Sequence, residues 1–447
     1  MPERFTVRFR HRLLALARRA GRNLPAPLRS PLRKIWRTAF KAQEWVAATI
    51  ETPRPVDLSP AAQLAARFPD LAPLPVFASP RGDKRRLTVV TDSVSAGSLY
   101  GGVGTSLILA ALTARRIGAG LRLVTRHEPA TASSVGTVLE AHGIPWTGSI
   151  ECLFAPHDGV PGGRDIPMTS EDLFLTTSWW TTRSTRQTVP SRRIACLVQE
   201  DERKFYPLGD DYLRCTETLS DSALVYLVNS NVLLTELQEE GLVPGGIAFE
   251  PSFPAHLYHA NERPPAGGKG KRGFFFYARP LNLRNLYWRG LEALSAAIEE
   301  GVLDPAEWDF HFAGHGAEVP HLPLGATAIV PGPMHWRDYA AFVRRMDIGL
   351  SLMYSPHPSY PPLDLAASGA VVVTNRFGRK RDLNQYSENI LCADLDVPSL
   401  VSALRAAVVL ANDRPRLAMN MARAGLQRDW SVSMAPAVDR LAVWAGS

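Results

Sequence analysis

Two arginines and an aspartate are the residues of this chain that point most directly to chemistry. The segment YARPLNLRNLYW, residues 277–288, carries Arg279 and Arg284. Pro280 and Asn282 favour a turn between them. Two guanidinium groups on one strand-to-helix loop suit a diphosphate, whose several oxygens accept forked N–H donors. Asp364 lies 80 residues beyond Arg284, inside IGLSLMYSPHPSYPPLDLAASGAVVVTN, residues 348–375. IGLSLM is apolar, as a strand buried in a parallel sheet is. Pro356, Pro358 and Pro361 hold the following residues extended. Ser359 is placed to cap a helix whose first turn contains Pro361 and Pro362, and Gly369 ends it. AVVVT is then a second buried strand. The helix presents unpaired N–H groups and the positive end of its dipole past the carboxyl end of a strand. Phosphates bind there in open α/β sheets. Asp364, about one turn in, would lie beside a bound phosphate. An ordinary βαβ unit with a Pro-rich loop fits the same pattern.

A glycine-rich loop, GSLYGGVG at 97–104, follows an apolar strand and opens a helix. From Gly102 it reads G-x-G-x-x-L, with Leu107 where a dinucleotide fingerprint has its third glycine. The next strand, LRLVTRHE, reaches an acid only at Glu128. A nicotinamide cofactor is therefore not expected. The pair Gly101 and Gly102 still lets a ligand approach the backbone closely.

These residues need a scaffold of alternating strands and helices, and the chain supplies two series. The first begins with RLTVVT at 86–91 and a helix near 105–117. Strands follow at LRLVT, DLFLTT, RRIACLVQ and ALVYLVN, with helices at 131–143 and 231–241. Residues 260–272, ANERPPAGGKGKR, have linker composition. The second series runs GFFFYA, a helix to about 301, WDFHFAG, ATAIVPG, a helix at WRDYAAFVRRM, then the 348–375 stretch, NILCAD and a helix near 397–411. Alternation of this kind predicts parallel sheets covered on both faces, with strand ends facing a cleft. The expected divisions are 1–80, a basic extension and linker; 81–264, an N-terminal Rossmann-like domain; 265–428, a C-terminal one; and 429–447, a helix crossing back to the first.

The net charge of +7 is unevenly spread. Residues 1–41 hold 12 Lys and Arg against one acid, Glu3, while the rest of the chain holds 38 basic and 42 acidic residues. Segments 8–22 and 28–45 intersperse Leu13, Leu14, Leu16, Ile35, Trp36, Phe40 and Trp45 with arginines, as helices lying on an anionic membrane do. Packing of this arm on the protein itself, or a loosely ordered charged tail, is the competing expectation. Thr52 to Pro80 is Pro-rich and reads as a linker with one short helix at 60–67. The cysteines, Cys152, Cys196, Cys215 and Cys392, form no CxxC pair, which argues against a zinc site or a disulfide framework and fits a reducing cytoplasm. The first residues lack the apolar core of a signal peptide, and the charge-free run 93–114 is too short in its dense apolar part to span a bilayer.

Several motifs together resemble the retaining GT-B glycosyltransferases of family 4. That family opens its second domain with G-R-x-x-x-x-K; here Arg279 stands at the arginine and Arg284 at the lysine position. AGHG at 313–316 matches its G-x-G turn, DLAASG at 364–369 its helix beginning E-A-M-A-x-G, MDIGLSL its aspartate before a strand, and Gly101 with Gly102 its early Gly-Gly loop. A narrower likeness, to bacterial rhamnosyltransferases of surface glycan assembly, rests on LVQEDERKFYPLGDDY, VNSNVLLTEL and SPHPSYPPLDLAASGAVVVTN. The family's paired carboxylates stand eight apart. Asp364 fills the second place, and Pro356 occupies the first. Ribose binding therefore transfers to Asp364, and sugar recognition does not transfer. The family's donor-side histidine has no match. SWWTT at 178–182 falls in its region, where Trp179 and Trp180 either wall the sugar or belong to the core.

The resemblance implies transfer of a 6-deoxyhexose such as rhamnose from a nucleotide-diphosphate donor, dTDP favoured, to a glycan or lipid-linked acceptor. It implies retention, no metal and no cofactor beyond the donor. Arg279 and Arg284 would hold the diphosphate, with backbone N–H groups from Ser359 and Tyr360. Gly332, Pro333 and Met334 would meet the base, and Asp364 the ribose. The expected location is cytoplasmic and peripheral on the inner membrane face through residues 1–50, with no nucleic-acid partner. A sugar-nucleotide epimerase of GT-B fold and a catalytically silent glycan- or polyanion-binding protein are the alternatives.

Overall fold

Charge-free runs of Val, Leu, Ile and Phe set the architecture, because such runs are stable only where both faces of a strand are covered. A computed structural model of the chain describes residues 59–80, 85–94, 102–157, 162–260, 270–332, 334 and 336–446. The chain divides into two units, Met1–Arg67 and Phe68–Ser447. The described part of the first unit is one helix, Pro60–Arg67, where the sequence predicts it. The basic segments 8–22 and 28–45 and most of the 260–272 linker lie outside the described residues.

The second unit holds two parallel sheets. In the first, β1 (Arg86–Thr91), β2 (Gly120–Thr125), β3 (Ile150–Phe154), β4 (Leu173–Thr176), β5 (Ile194–Val198), β6 (Val225–Asn229) and β7 (Ile247–Phe249) lie in the order β3-β2-β1-β4-β5-β6-β7. In the second, β8 (Arg272–Tyr277), β9 (Trp308–Ala313), β10 (Ala328–Ile329), β11 (Met346–Leu350), β12 (Val371–Asn375) and β13 (Ile390–Ala393) lie in the order β10-β9-β8-β11-β12-β13. Both orders reverse beside their first strand, so each sheet has its switch point there, and the carboxyl ends flanking a switch point form a crevice.

Alternate residues feed separate cores. Leu87 and Val89 face one side of the first sheet and Val90 the other. Phe274 and Phe276 face one side of the second sheet and Phe275 the other. Helix α1 (Gly104–Ile117) follows β1, and helix α2 (Tyr287–Glu299) occupies the equivalent place after β8. Gly290 lets α2 settle on Phe276, because a Cβ there would fall 2.5 Å from the ring. Helix α3 (Tyr360–Ala367) lies between β11 and β12. The closing helix α4 (Ala435–Gly446) packs on α1, with Leu441 and Trp444 in the first sheet's core and the Trp444 indole donating to the Arg192 carbonyl at 2.7 Å.

The Pro-rich stretch is not open linker to its end. Leu74 is fully buried, and Val76–Ala78 pairs in parallel with Ile166–Met168. Leu74 and Val76 are apolar enough to join the first domain's core despite the prolines around them.

Candidate active site

Each sheet sends its switch-point loops toward a shared cavity of about 580 Å³. From the second domain come the loop after β8, the turn after β9, and the segment from β11 into α3. Arg279, Arg284, Gly314, Met353, His357 and Asp364 line it. The first domain contributes Gly102 and Thr105 at the start of α1, and Gln199, Glu200 and Phe205 beyond β5.

Local chemistry fixes these loops. Gly314 has φ +153°, and a Cβ there would fall 2.1 Å from the Ala278 carbonyl, so only glycine fits this turn. The β11–α3 loop hangs on Asn375: its amide donates to the Met353 carbonyl at 3.0 Å, and its carbonyl accepts from the Met353 N–H at 2.7 Å. Lys380, wholly buried, donates to the same carbonyl at 3.1 Å, and burial lowers its pKa to about 8. The Tyr354 N–H donates to the Arg284 carbonyl at 2.8 Å, tying this loop to the arginine loop.

Arg279 and Arg284 both line the cavity. The Arg284 guanidinium sits 3.7 Å from the centroid of the Phe205 ring and 3.5 Å from a Glu200 carboxylate oxygen. Burial lowers the Arg284 pKa, opposed by Glu200. Arg279 donates to the Tyr277 hydroxyl at 3.3 Å. Asp364 also faces the cavity. It is 5% exposed, accepts from the Tyr339 hydroxyl at 3.2 Å, and burial raises its pKa to about 7.

Gly102, Gly332, Met334, Ser359 and Tyr360 line the same cavity. Gly101 and Pro333 lie outside the described residues. Ser359 departs from expectation. It stands at the helix N-cap with φ 70°, but its hydroxyl caps nothing, and its N–H donates to His357 Nδ1 at 3.0 Å. The imidazole two residues back has taken the backbone donor that was expected to meet phosphate. Tyr360 reaches across the cleft: its hydroxyl bonds with the Thr105 hydroxyl and accepts from the Asn229 amide at 2.9 Å. Trp179 and Trp180 do not line the cavity. Ser178 caps their helix, Trp179 is 2% exposed in the first domain's core, and Trp180 donates to Asp92 at 3.0 Å.

Sequence reasoning missed Glu200, Phe205, His142 and His357. Glu200 accepts from the Ser355 hydroxyl and from the Asp201 N–H at 3.1 Å, and burial raises its pKa. Ser355 is the neighbour of Pro356, so a carboxylate from the other domain reaches the place where the family pattern has one of its own. His357 is 3% exposed and held neutral by burial, its pKa near 3; its Nε2 has no protein partner among the described residues. His142 accepts from the Trp430 indole at 2.9 Å and packs edge-on against Trp336 at 4.5 Å, a second neutral imidazole on the wall. Glu200 and Phe205 lie in LVQEDERKFYPLGDDY and His357 in SPHPSYPPLDLAASGAVVVTN, so those strings were the available signal, without a spacing that singled these residues out; His142 had no such signal.

This geometry has parallels among known proteins. Residues 272–405 match the family described as the WsaF C-terminal domain. Over 191 residues the chain is 35% identical to the O-antigen biosynthesis protein RfbC of Myxococcus xanthus, a match covering 42% of this chain and 14% of that protein. Sucrose-phosphate synthase from Thermosynechococcus elongatus superposes with a TM-score of 0.54 at 12% identity, over 81% of this chain and all of the other. Anabaena Alr3699/HepE, solved with UDP and glucose, gives 0.54 at 13% identity over 79% of this chain and 98% of the other. The fold is GT-B. An α,α-trehalose-phosphate synthase from Burkholderia vietnamiensis matches at 0.52 and 13% identity, over 81% of this chain and all of the other. These GT-B structures are solved proteins of widely different sequence, so what they share with this chain is the two-sheet frame.

Proposed function

We propose that this protein is a glycosyltransferase of surface-glycan assembly that takes its sugar from a nucleoside-diphosphate donor. The observation that carries the reading is the convergence of Arg279 and Arg284 with the Gly314 turn on one wall of a cavity faced by the other domain. Two cations there meet the charge that grows on a departing diphosphate. The similarity to an O-antigen biosynthesis protein supports the acceptor class, and the GT-B structures bound to UDP support the donor class. The motif strings favour a 6-deoxyhexose such as rhamnose carried on dTDP, placed on a glycan or lipid-linked acceptor with retention.

In that reaction the bond from the sugar's anomeric carbon to the diphosphate breaks, and its electron pair stays on the phosphate oxygen. The acceptor hydroxyl oxygen bonds to the anomeric carbon from the same face, and its proton passes to the departing phosphate. Arg279 and Arg284 supply the countercharge and Asp364 holds the ribose, so the reading needs no metal in the cavity. Melting temperatures with dTDP, UDP and GDP, followed by turnover of the corresponding nucleotide sugars with and without a glycan acceptor, test it. A dTDP shift larger than the others and acceptor-dependent release of dTDP are expected. No shift with any nucleotide would remove the donor site.

Glu200 and His357 also give the cavity a carboxylate and an imidazole, the side-chain types a GT-B epimerase uses. Conversion of the nucleotide sugar into an epimer without release of nucleotide would favour that reading.

The +11 charge of residues 1–41 supports attachment to anionic lipid, each engaged Lys or Arg contributing about 1 kcal/mol before salt screening. Full-length protein should sediment with phosphatidylserine vesicles at low salt, and a variant lacking residues 1–50 should not. Equal sedimentation of the two would assign the arm another role.

A further inference from the structure

Outside the cavity, three neighbouring strands of the first sheet run into polar side chains just past their carboxyl ends. Asp92 follows β1, His127 follows β2 and His157 follows β3. Across them lies the turn Pro69–Leu71, which carries Asp70. Asp70 Oδ1 is 3.0 Å from His127 Nε2 and 3.8 Å from His157 Nε2. The three ligand atoms all lie within 4.8 Å of one another, and Asp92 Oδ1 is 4.0 Å from His127 Nε2. None of the four residues lines the cavity.

We propose that Asp70, His127 and His157 form a divalent-metal site of the zinc class, with Asp92 or water in the fourth position. With metal–nitrogen bonds of about 2.0–2.1 Å, the donor atoms of a tetrahedral site stand roughly 3.3 Å apart. The observed 3.0 and 3.8 Å straddle that spacing. Two imidazoles and a carboxylate are a borderline donor set that suits Zn²⁺. The imidazole rings meet edge to face, 77° apart with centroids at 5.5 Å, so both can present an edge nitrogen to one point. His157 Nδ1 is buried from solvent, which leaves Nε2, directed at Asp70, as its available ligand atom. The side chains of His127 and Asp70 are 42% and 49% exposed, so a hydrated ion can enter. The adjacent Arg126 turns its guanidinium onto the Ala72 carbonyl at 3.0 Å. The ion would pin the 69–71 turn across three strand ends. This site stands independently of the glycosyltransferase reading.

The test uses the full chain, free of affinity tags and stripped with EDTA, titrated with ZnCl₂ by calorimetry and by melting temperature. One equivalent per chain and a rise of several degrees are expected. His127→Ala and His157→Ala should each abolish both effects, and Asp70→Asn should weaken binding at least tenfold. Far-ultraviolet circular dichroism checks that the variants fold. If either histidine variant does not, His127→Gln or His157→Gln takes its place. Absence of saturable binding in the wild type would overturn the proposal and leave a surface ion pair. Undiminished stoichiometric binding in the histidine variants would place the ion elsewhere and overturn it equally.

Discussion

The Glu200 carboxylate of one domain lies 3.5 Å from the Arg284 guanidinium of the other. Neither side chain is more than one-fifth exposed, so the pair is held in a medium where charge interactions are strong. A bound diphosphate would compete with Glu200 for the same cation. Arg284→Ala should therefore raise the donor KM and lower kcat. A charge-assisted contact is worth about 1.5–3 kcal/mol, or roughly 10- to 150-fold in kcat/KM. Arg279→Ala should act the same way. Steady-state kinetics with the best donor measure both, and unchanged values in the two variants would rule out this phosphate site.

Asp364 ties donor binding to pH. Burial raises its pKa to about 7, so it is largely protonated at pH 6 and largely ionised at pH 8. An ionised carboxylate accepts from ribose hydroxyls more strongly than a protonated one. Nucleotide affinity should rise from pH 6 to pH 8. Asp364→Asn should weaken binding at pH 8 and flatten that rise. Calorimetric titrations at both pH values decide. A variant as pH-dependent as the parent would mean that Asp364 serves only as acceptor to Tyr339 and Tyr258.

The frame was legible in the sequence because its signals are local and redundant. RLTVVT, GFFFYA and AVVVTN each state strand, burial and parallel pairing in six residues. The arginine pair stood out because a short spacing on one loop survives in one dimension, and the Gly314 turn through the resemblance of AGHG to the family's G-x-G turn. Glu200 was not, because its role comes from Ser355 and Arg284, 155 and 84 residues away in sequence. Ser359 failed as a cap through its neighbours. Propensity sees the hydroxyl at the right position, but the N2 and N3 residues it would serve are Pro361 and Pro362, which carry no N–H to donate, while His357 separately accepts the Ser359 N–H. Position alone left Trp179 and Trp180 open between a sugar wall and the core, and in the helix capped by Ser178 Trp179 takes the core.

Tyr360 is expected to hold the domains together. Its hydroxyl, on α3 of the second domain, bonds with Thr105 and Asn229 of the first, so it joins the two domains directly. Tyr360→Phe keeps the ring and removes both inter-domain hydrogen bonds, at a cost of about 1–2 kcal/mol. The loss should appear in denaturant unfolding, together with faster proteolysis between the domains. A variant equal to the parent in both would show that water replaces the hydroxyl.

Glu202 gives a stability prediction with a definite sign. Its carboxylate is buried, accepts from the Trp179 N–H at 2.6 Å, and has its pKa raised by burial from 4.5 to about 8. Between those values the folded state holds a proton that the unfolded state has released. Stability contributed by this group therefore falls as pH rises from about 4.5, and the full penalty is present above about 8. Gln at this position can still accept from the Trp179 N–H and never ionises. Glu202→Gln should leave unfolding nearly unchanged at pH 5. At pH 9 it should stabilise the protein by at least about 1.4 kcal/mol, the equivalent of one pKa unit. Urea unfolding of both proteins at the two pH values measures the difference. Stabilisation that does not grow with pH would show that Glu202 folds in its ionised form, with its charge met by Arg284.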